Sequence, residues 1–205
     1  MSSQREFHEK EFDALKEMAN IGAGHAATAL SQLTNRRIMI DVPKVEICPL
    51  EKAAASVGDG GVVAAVLMRV LGDVTGRSLL LFEKSLALQL ADMLLSRELG
   101  TTKVFAEFEQ SALKETANIL TGAYLNALSD MLGLMLIPSV PSLAIDLSSA
   151  ILSTACLEFA YEREQVMILD TRFRFEPNGS SMSGHFVLLP DRASLQVILK
   201  AARLV

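Results

Sequence analysis

Asp13, Glu17 and Asn20 are spaced by four and three residues, and 98 positions later Ser111, Glu115 and Asn118 repeat the spacing. On a helix turning roughly 100° per residue these positions lie within about 60° of one another and span about 10 Å, forming one narrow polar stripe. A carboxamide both donates and accepts hydrogen bonds, so it can hold a water in line with a phosphorus atom while touching a phosphoryl oxygen. A carboxylate one turn away can grip a lysine and fix the register of a partner. Phosphoryl transfer depends mostly on positioning and electrostatics, and one well-placed amide supplies on the order of 10²-fold, or ~2.7 kcal/mol.

The stripes belong to a longer repetition. EFDALKEMANIGAGHAATALSQL, Glu11 to Leu33, returns without a gap as EQSALKETANILTGAYLNALSDM, Glu109 to Met131, with twelve identities in 23 positions. Chance matching at average composition gives roughly one or two. The chain is an internal duplication. In the first copy Phe12, Leu15, Ala19, Ala26, Leu30 and Leu33 recur with helical spacing, which predicts an amphipathic helix from about Arg5 to Thr34 with Asn35 as its stop. The stripe is centred roughly 130° from the apolar residues and so faces outward. One such stripe reads as a solvated helix face. Asn, however, is a poor interior helix former, and its presence in both copies needs a reason beyond helix stability.

Residues 36–50 are rich in branched apolar side chains, and Pro43 among them suits an edge or bulged strand. A turn at GDGG, 58–61, precedes a strand through Val70, a turn at Gly72-Asp73 and a strand around Ser78 to Phe82. A helix follows from Ser85, as N-cap, to about Arg97. The second half repeats the order: a helix from about Val104 to Leu132, then Val140 to Ile145 matching Val42 to Ile47. Strands are expected over Ile151–Phe159, Gln165–Phe175 and, after the turn EPNGSSMSG, Phe186–Leu189, before Asp191 caps a last helix to about Leu204. The expected fold is α+β, a pseudo-twofold duplication of a helix, antiparallel strands, helix unit. Only short segments join the halves and the apolar excess asks for a shared core. One domain over 1–205 is therefore expected, built from repeats of about 1–103 and 104–205. Gly22 and Gly24 lie inside the first helix, where each costs roughly 1 kcal/mol relative to Ala, and they point to close helix packing or a kink.

Composition narrows the function classes. Of 205 residues 50% are hydrophobic and mean hydropathy is +0.33, yet the longest apolar runs fall far short of the ~20 residues that span a bilayer. No membrane insertion is expected. MSSQREFHEKEF at the start has no apolar h-region, so no secretory signal is expected and a cytoplasmic setting follows. Cys48 and Cys156 lie in apolar surroundings and read as reduced, buried residues. A net charge of -5 and a pI near 5.3 argue against a nucleic-acid surface.

The duplicated pattern Asp/Ser-x-x-x-Glu-x-x-Asn at the start of two αβ repeats resembles the signature of the CheC/CheX/FliY family of phosphatases in bacterial chemotaxis. The similarity runs over essentially the whole chain. Two motifs in 205 residues match the CheC arrangement better than the longer FliY or the single-motif CheX. The resemblance implies hydrolysis of the aspartyl phosphate of the response regulator CheY. Asn20 and Asn118 would orient the water, and Glu17 and Glu115 would pair with the regulator's lysine. Asp13 and Ser111 would complete the motif in a supporting role. It also implies that the chain has no cofactor of its own, that Mg2+ belongs to the regulator, and that the receptor deamidase CheD is a second partner.

Other chemistries find less support. His8, His25 and His185 are scattered and neither cysteine has a histidine partner in the sequence pattern, so a nucleophilic triad is not expected. Gly22-x-Gly24 lacks the preceding strand of a phosphate-binding loop. No ligand set for a metal is visible. The competing class is a noncatalytic adaptor that docks the regulator and the deamidase. Such surfaces are usually anchored by aromatic residues or Arg, and the stripes as read contain none.

Overall fold

The computed structural model describes residues 9–49, 52, 61–157, 165–175 and 180–202. The chain runs α1 (Glu9–Thr34), β1 (Ile38–Pro49), β2 (Val62–Gly72), β3 (Gly76–Glu83), α2 (Lys84–Leu94), α3 (Glu107–Leu132), β4 (Leu136–Pro138), β5 (Ser142–Leu147), α4 (Ser148–Leu157), β6 (Gln165–Phe175), β7 (Ser180–Pro190) and α5 (Arg192–Ala202). The fold is α+β, with a seven-stranded antiparallel sheet ordered β1-β6-β7-β3-β2, and β4 and β5 lying in series along the outer side of β2. The order mirrors itself about the β7–β3 pair. The first strand of the first half pairs with β6 of the second, and the first strand segments of the second half pair with β2 of the first.

Strands β2, β3, β6 and β7 are buried on both faces, which explains near-continuous apolar runs such as VVAAV and SLLLF in antiparallel strands. On one face, Val66, Leu80, Phe82, Leu169, Phe186 and Leu188 join a core with Leu15, Ala19, Leu30, Leu86, Leu113, Leu120, Leu128 and Ile198 from α1, α2, α3 and α5. On the other, Val63, Ala65, Leu79, Leu81, Ile168, Val187 and Leu189 pack with Ile151 and Leu152 of α4.

The strand expected over Ile151–Phe159 is instead α4, Ser148–Leu157. Ile151 and Leu152 are adjacent and share one core; a strand would send them to opposite faces, whereas a helix turns them only about 100° apart. Helix α2 starts at Lys84 and has Glu83, not Ser85, at its N-cap, without a side-chain cap bond. It ends at Leu94, short of Arg97, because Ser96 takes a left-handed φ of 54° and the Arg97 N–H returns to the Asp92 carbonyl at 2.8 Å. Helix α3 begins at Glu107 rather than Val104. Ahead of it the Asp92 carboxylate, buried in α2, accepts from the N–H groups of Gly100 at 2.7 Å and Thr102 at 2.9 Å and so fixes the connection between the two helices. Leu33, expected in the core, is 55% exposed. Asn35 ends α1 in a left-handed conformation, φ 50°, and Asp191 caps α5 by accepting from the Ser194 N–H at 2.8 Å.

The expected turn EPNGSSMSG is shorter than read, because Ser180 to Gly184 already belong to β7 and pair with β6. The expected helix start at Arg5, positions 58–60 of the GDGG turn, residues 176–179, the helix end at Leu204 and the surroundings of Cys156 fall outside the described residues. Among the described residues no helix is long and apolar enough to cross a membrane.

Candidate functional site

Helices α1 and α3 carry the two stripes and lie against each other over the sheet. Their contact is close at Gly22, where an added Cβ would stand 2.9 Å from Tyr124 Cδ1 and 3.0 Å from its Cα. The glycine expected to mark helix packing therefore does so. Tyr124 is buried, its ring centroid lies 4.8 Å from that of Phe186, and its hydroxyl reaches Thr171 Oγ1 at 3.3 Å. Burial pushes that hydroxyl up to about 12, so Tyr124 is a neutral packing residue at physiological pH.

On α3 the buried residues Leu113, Thr116, Ala117, Leu120 and Tyr124 face the core, and Ser111, Glu115 and Asn118 face away and are exposed. Neither Glu115 nor Asn118 makes a side-chain hydrogen bond or ion pair with any described residue. The carboxylate and the carboxamide, three residues apart, are presented to solvent with their bonding capacity unused. The helix beneath them is fixed at its start by Glu109, 5% exposed, which pairs with the Arg97 guanidinium; Arg97 also reaches Thr102 Oγ1 at 3.1 Å. The Arg97 hydrogen bond holds the Glu109 carboxyl below the usual carboxylate range.

On α1 the same stripe behaves differently. Asp13 and Glu17 are exposed, but Asn20 is half-buried. Its Oδ1 accepts from the Val42 N–H at 3.0 Å, and its Nδ2 donates to the Lys16 carbonyl at 3.0 Å. The expectation that this amide points freely outward is corrected by the shape of β1. The β1–β6 register shifts between Asp41 and Lys44, at Val42-Pro43, so the Val42 N–H has no ladder partner, and Val42 is only 1% exposed. A buried N–H needs an acceptor, and Asn20 supplies it. In the second half the corresponding segment lies between β4 and β5, where Val140 is 87% exposed, and Asn118 has no such task.

Gly24 and Gly122 follow their Asn residues by four positions in both copies, and apart from the helix's own adjacent backbone no atom of the described residues lies within 4 Å of a Cβ built on either. Packing against the described residues does not account for Gly24. Phe108, 71% exposed, sits seven residues before Glu115 and hence on the same face of α3. Aligning the repeat on its polar letters passes over this residue, although its heptad spacing from Glu115 is there to be counted in the sequence. Lys16 is exposed and Lys114 half-buried. His25 is exposed on α1, and His185 Nδ1 lies 3.0 Å from Asp170 Oδ1 across β7 and β6, away from both stripes. Cys48 is buried, and burial pushes its thiol up, which disfavours a nucleophilic thiolate. Among the described residues no three His, Cys, Asp or Glu side chains group as metal ligands.

Comparison with known proteins places these stripes in a wider setting. The model of the CheC-like family matches residues 11–47 and 108–145, each segment containing one stripe. A protein of Bacillus subtilis (strain 168) named CheY-P phosphatase CheC is 33% identical over 196 residues, covering 94% of each chain. The flagellar motor switch phosphatase FliY of the same organism is 31% identical over 122 residues, 59% of this chain and 32% of that protein. Among solved structures, Thermotoga maritima FliY superposes with a TM-score of 0.78 at 20% identity, covering 96% of this chain and 98% of that one.

Proposed function

Since the chain belongs to the CheC-like family, we propose that it hydrolyses the acyl phosphate of a phosphorylated chemotaxis response regulator, the substrate named for its B. subtilis relative, CheY-P. The observation that carries the reading is the pair Glu115 and Asn118, exposed on a rigid helix with no partner among the described residues. An unpaired carboxylate and amide on a well-packed helix are ready to enter another molecule's site without breaking anything in their own.

In this reading Asn118 enters beside the phosphorylated aspartate and orients a water in line with the P–O bond to be broken. The water oxygen bonds to phosphorus, the acyl oxygen departs as the regulator's aspartate carboxylate, and the proton lost by water leaves with inorganic phosphate. A carboxamide neither takes nor gives the proton; it holds the attack geometry. Glu115 pairs with the regulator's active-site lysine and sets the depth and register of entry. Mg2+ belongs to the regulator, where it stabilises the phosphoryl oxygens. Glu17 and Asn20 form a second, weaker copy of the site, because the Asn20 amide is already engaged on both sides. Asp13 and Ser111 support the N-terminal ends of the two stripes. The regulator as substrate sets the protein in the cytoplasm.

Phosphate release from the phosphorylated regulator, measured with and without the protein, tests the reading, and acceleration is expected. Binding without acceleration would mark the chain as a noncatalytic adaptor that holds the regulator and the receptor deamidase CheD.

A further inference from the structure

Three glycines follow the stripes closely on the two long helices, and among the described residues packing requires glycine only at Gly22. Gly24 and Gly122 are counterparts at offset 98, have open space where a Cβ would stand and lack the positive φ that would demand glycine. Among the described residues nothing asks for glycine at either place. An Ala there would stabilise the helix, yet both copies forgo it at the same position relative to the motif.

That position flanks the Asn. On an α-helix the same-face neighbours of Asn118 are Glu115 on one side and residue 122, one turn on, on the other. An Asn side chain is short, so a phosphoryl group reaches its amide only if the partner's surface descends almost to the helix backbone. On the Glu115 side the neighbour is itself a contact. On the other side a side chain would stand in the path. We propose that Gly122, and Gly24 in the first copy, is a clearance position: the bare backbone one turn beyond the Asn admits the polypeptide loop that carries the acyl phosphate. The inference rests on the phosphatase reading above and adds a specificity-determining residue that contacts no chemistry.

Gly122→Ala, Gly24→Ala and the double variant test it by thermal denaturation and by phosphate release under varied regulator concentration. Gly122→Ala is expected to raise the melting temperature by roughly 2–4 °C while kcat/KM falls about tenfold, carried by a higher KM. Gly122→Leu loses more. A packing role cannot produce this result, since it would move stability and activity together. A double variant within about twofold of the unaltered protein in kcat/KM overturns the proposal, and so does a lowered melting temperature for Gly122→Ala. If the unaltered protein does not accelerate phosphate release, the phosphatase reading fails, and clearance is then decided by affinity for the beryllofluoride-loaded regulator. Binding weakened about tenfold by Gly122→Ala supports it, and equal binding overturns it.

Discussion

Asn20 Oδ1 accepts the Val42 N–H at 3.0 Å, so an amide of the motif on α1 doubles as the missing ladder partner of a bulged edge strand. Asn118, its counterpart, has no side-chain partner among the described residues. The same residue at the same repeat position is a strut in one half and a free tool in the other.

Substituting the two residues alike separates these roles. Asn20→Ala leaves a buried N–H unsatisfied and is expected to cost about 1–3 kcal/mol in unfolding free energy. Asn20→Asp keeps an acceptor for Val42 and retains most of that stability. Asn118→Asp leaves stability unchanged but lowers phosphate release more than Asn20→Asp does. Denaturant titration and single-turnover phosphate release on these three variants and the unaltered protein check the order.

Glu115→Gln removes a charge and keeps the shape. A half-exposed ion pair worth ~1 kcal/mol predicts a KM about fivefold higher with kcat little changed. The salt dependence of kcat/KM becomes shallower as well, because one screened attraction is gone. A fall in kcat at saturating regulator would instead give Glu115 a part in the chemical step.

What is legible in the sequence divides along physical lines. The long helices, the bulge at Pro43 and the outward Glu115 and Asn118 follow from periodicity and from a proline that cannot join a ladder. The strand reading of Ile151–Phe159 fails because a short apolar run carries no period to separate strand from helix. The engagement of Asn20 is invisible for a different reason. It depends on where a register shift in β1 falls relative to α1, a pairing across 22 residues that no local pattern encodes. Strand order is likewise beyond reach, since a strand's residues do not say which half supplies its neighbour.

Acid should expose the anchor of α3. The Glu109 carboxyl is held below its ordinary value of 4.5, chiefly by Arg97. A depressed folded-state value contributes stability that is present above the unfolded value and is lost as pH falls through the folded one. Glu109→Gln is therefore expected to be less stable than the unaltered protein above about pH 4.5, with the difference shrinking as pH drops further. Urea midpoints across this range test it, and a difference independent of pH would assign the loss to packing alone.

Because β1 pairs with β6 and β2 with β4 and β5, neither half holds all the strand partners it needs. Residues 1–103 and 104–205 expressed separately are expected to be unfolded or aggregated, and the intact chain to unfold in one transition. Two transitions by calorimetry, or a folded half, would show independent units.

The crossed pairing of edge strands gives the chain the architecture of an interlocked homodimer whose two subunits have been tethered. In an untethered pair every substitution appears twice, and an Asn could not become a strut on one side without becoming one on the other. The tether removes that symmetry constraint. One copy can be committed to holding the scaffold together while the other stays free to work on a visitor.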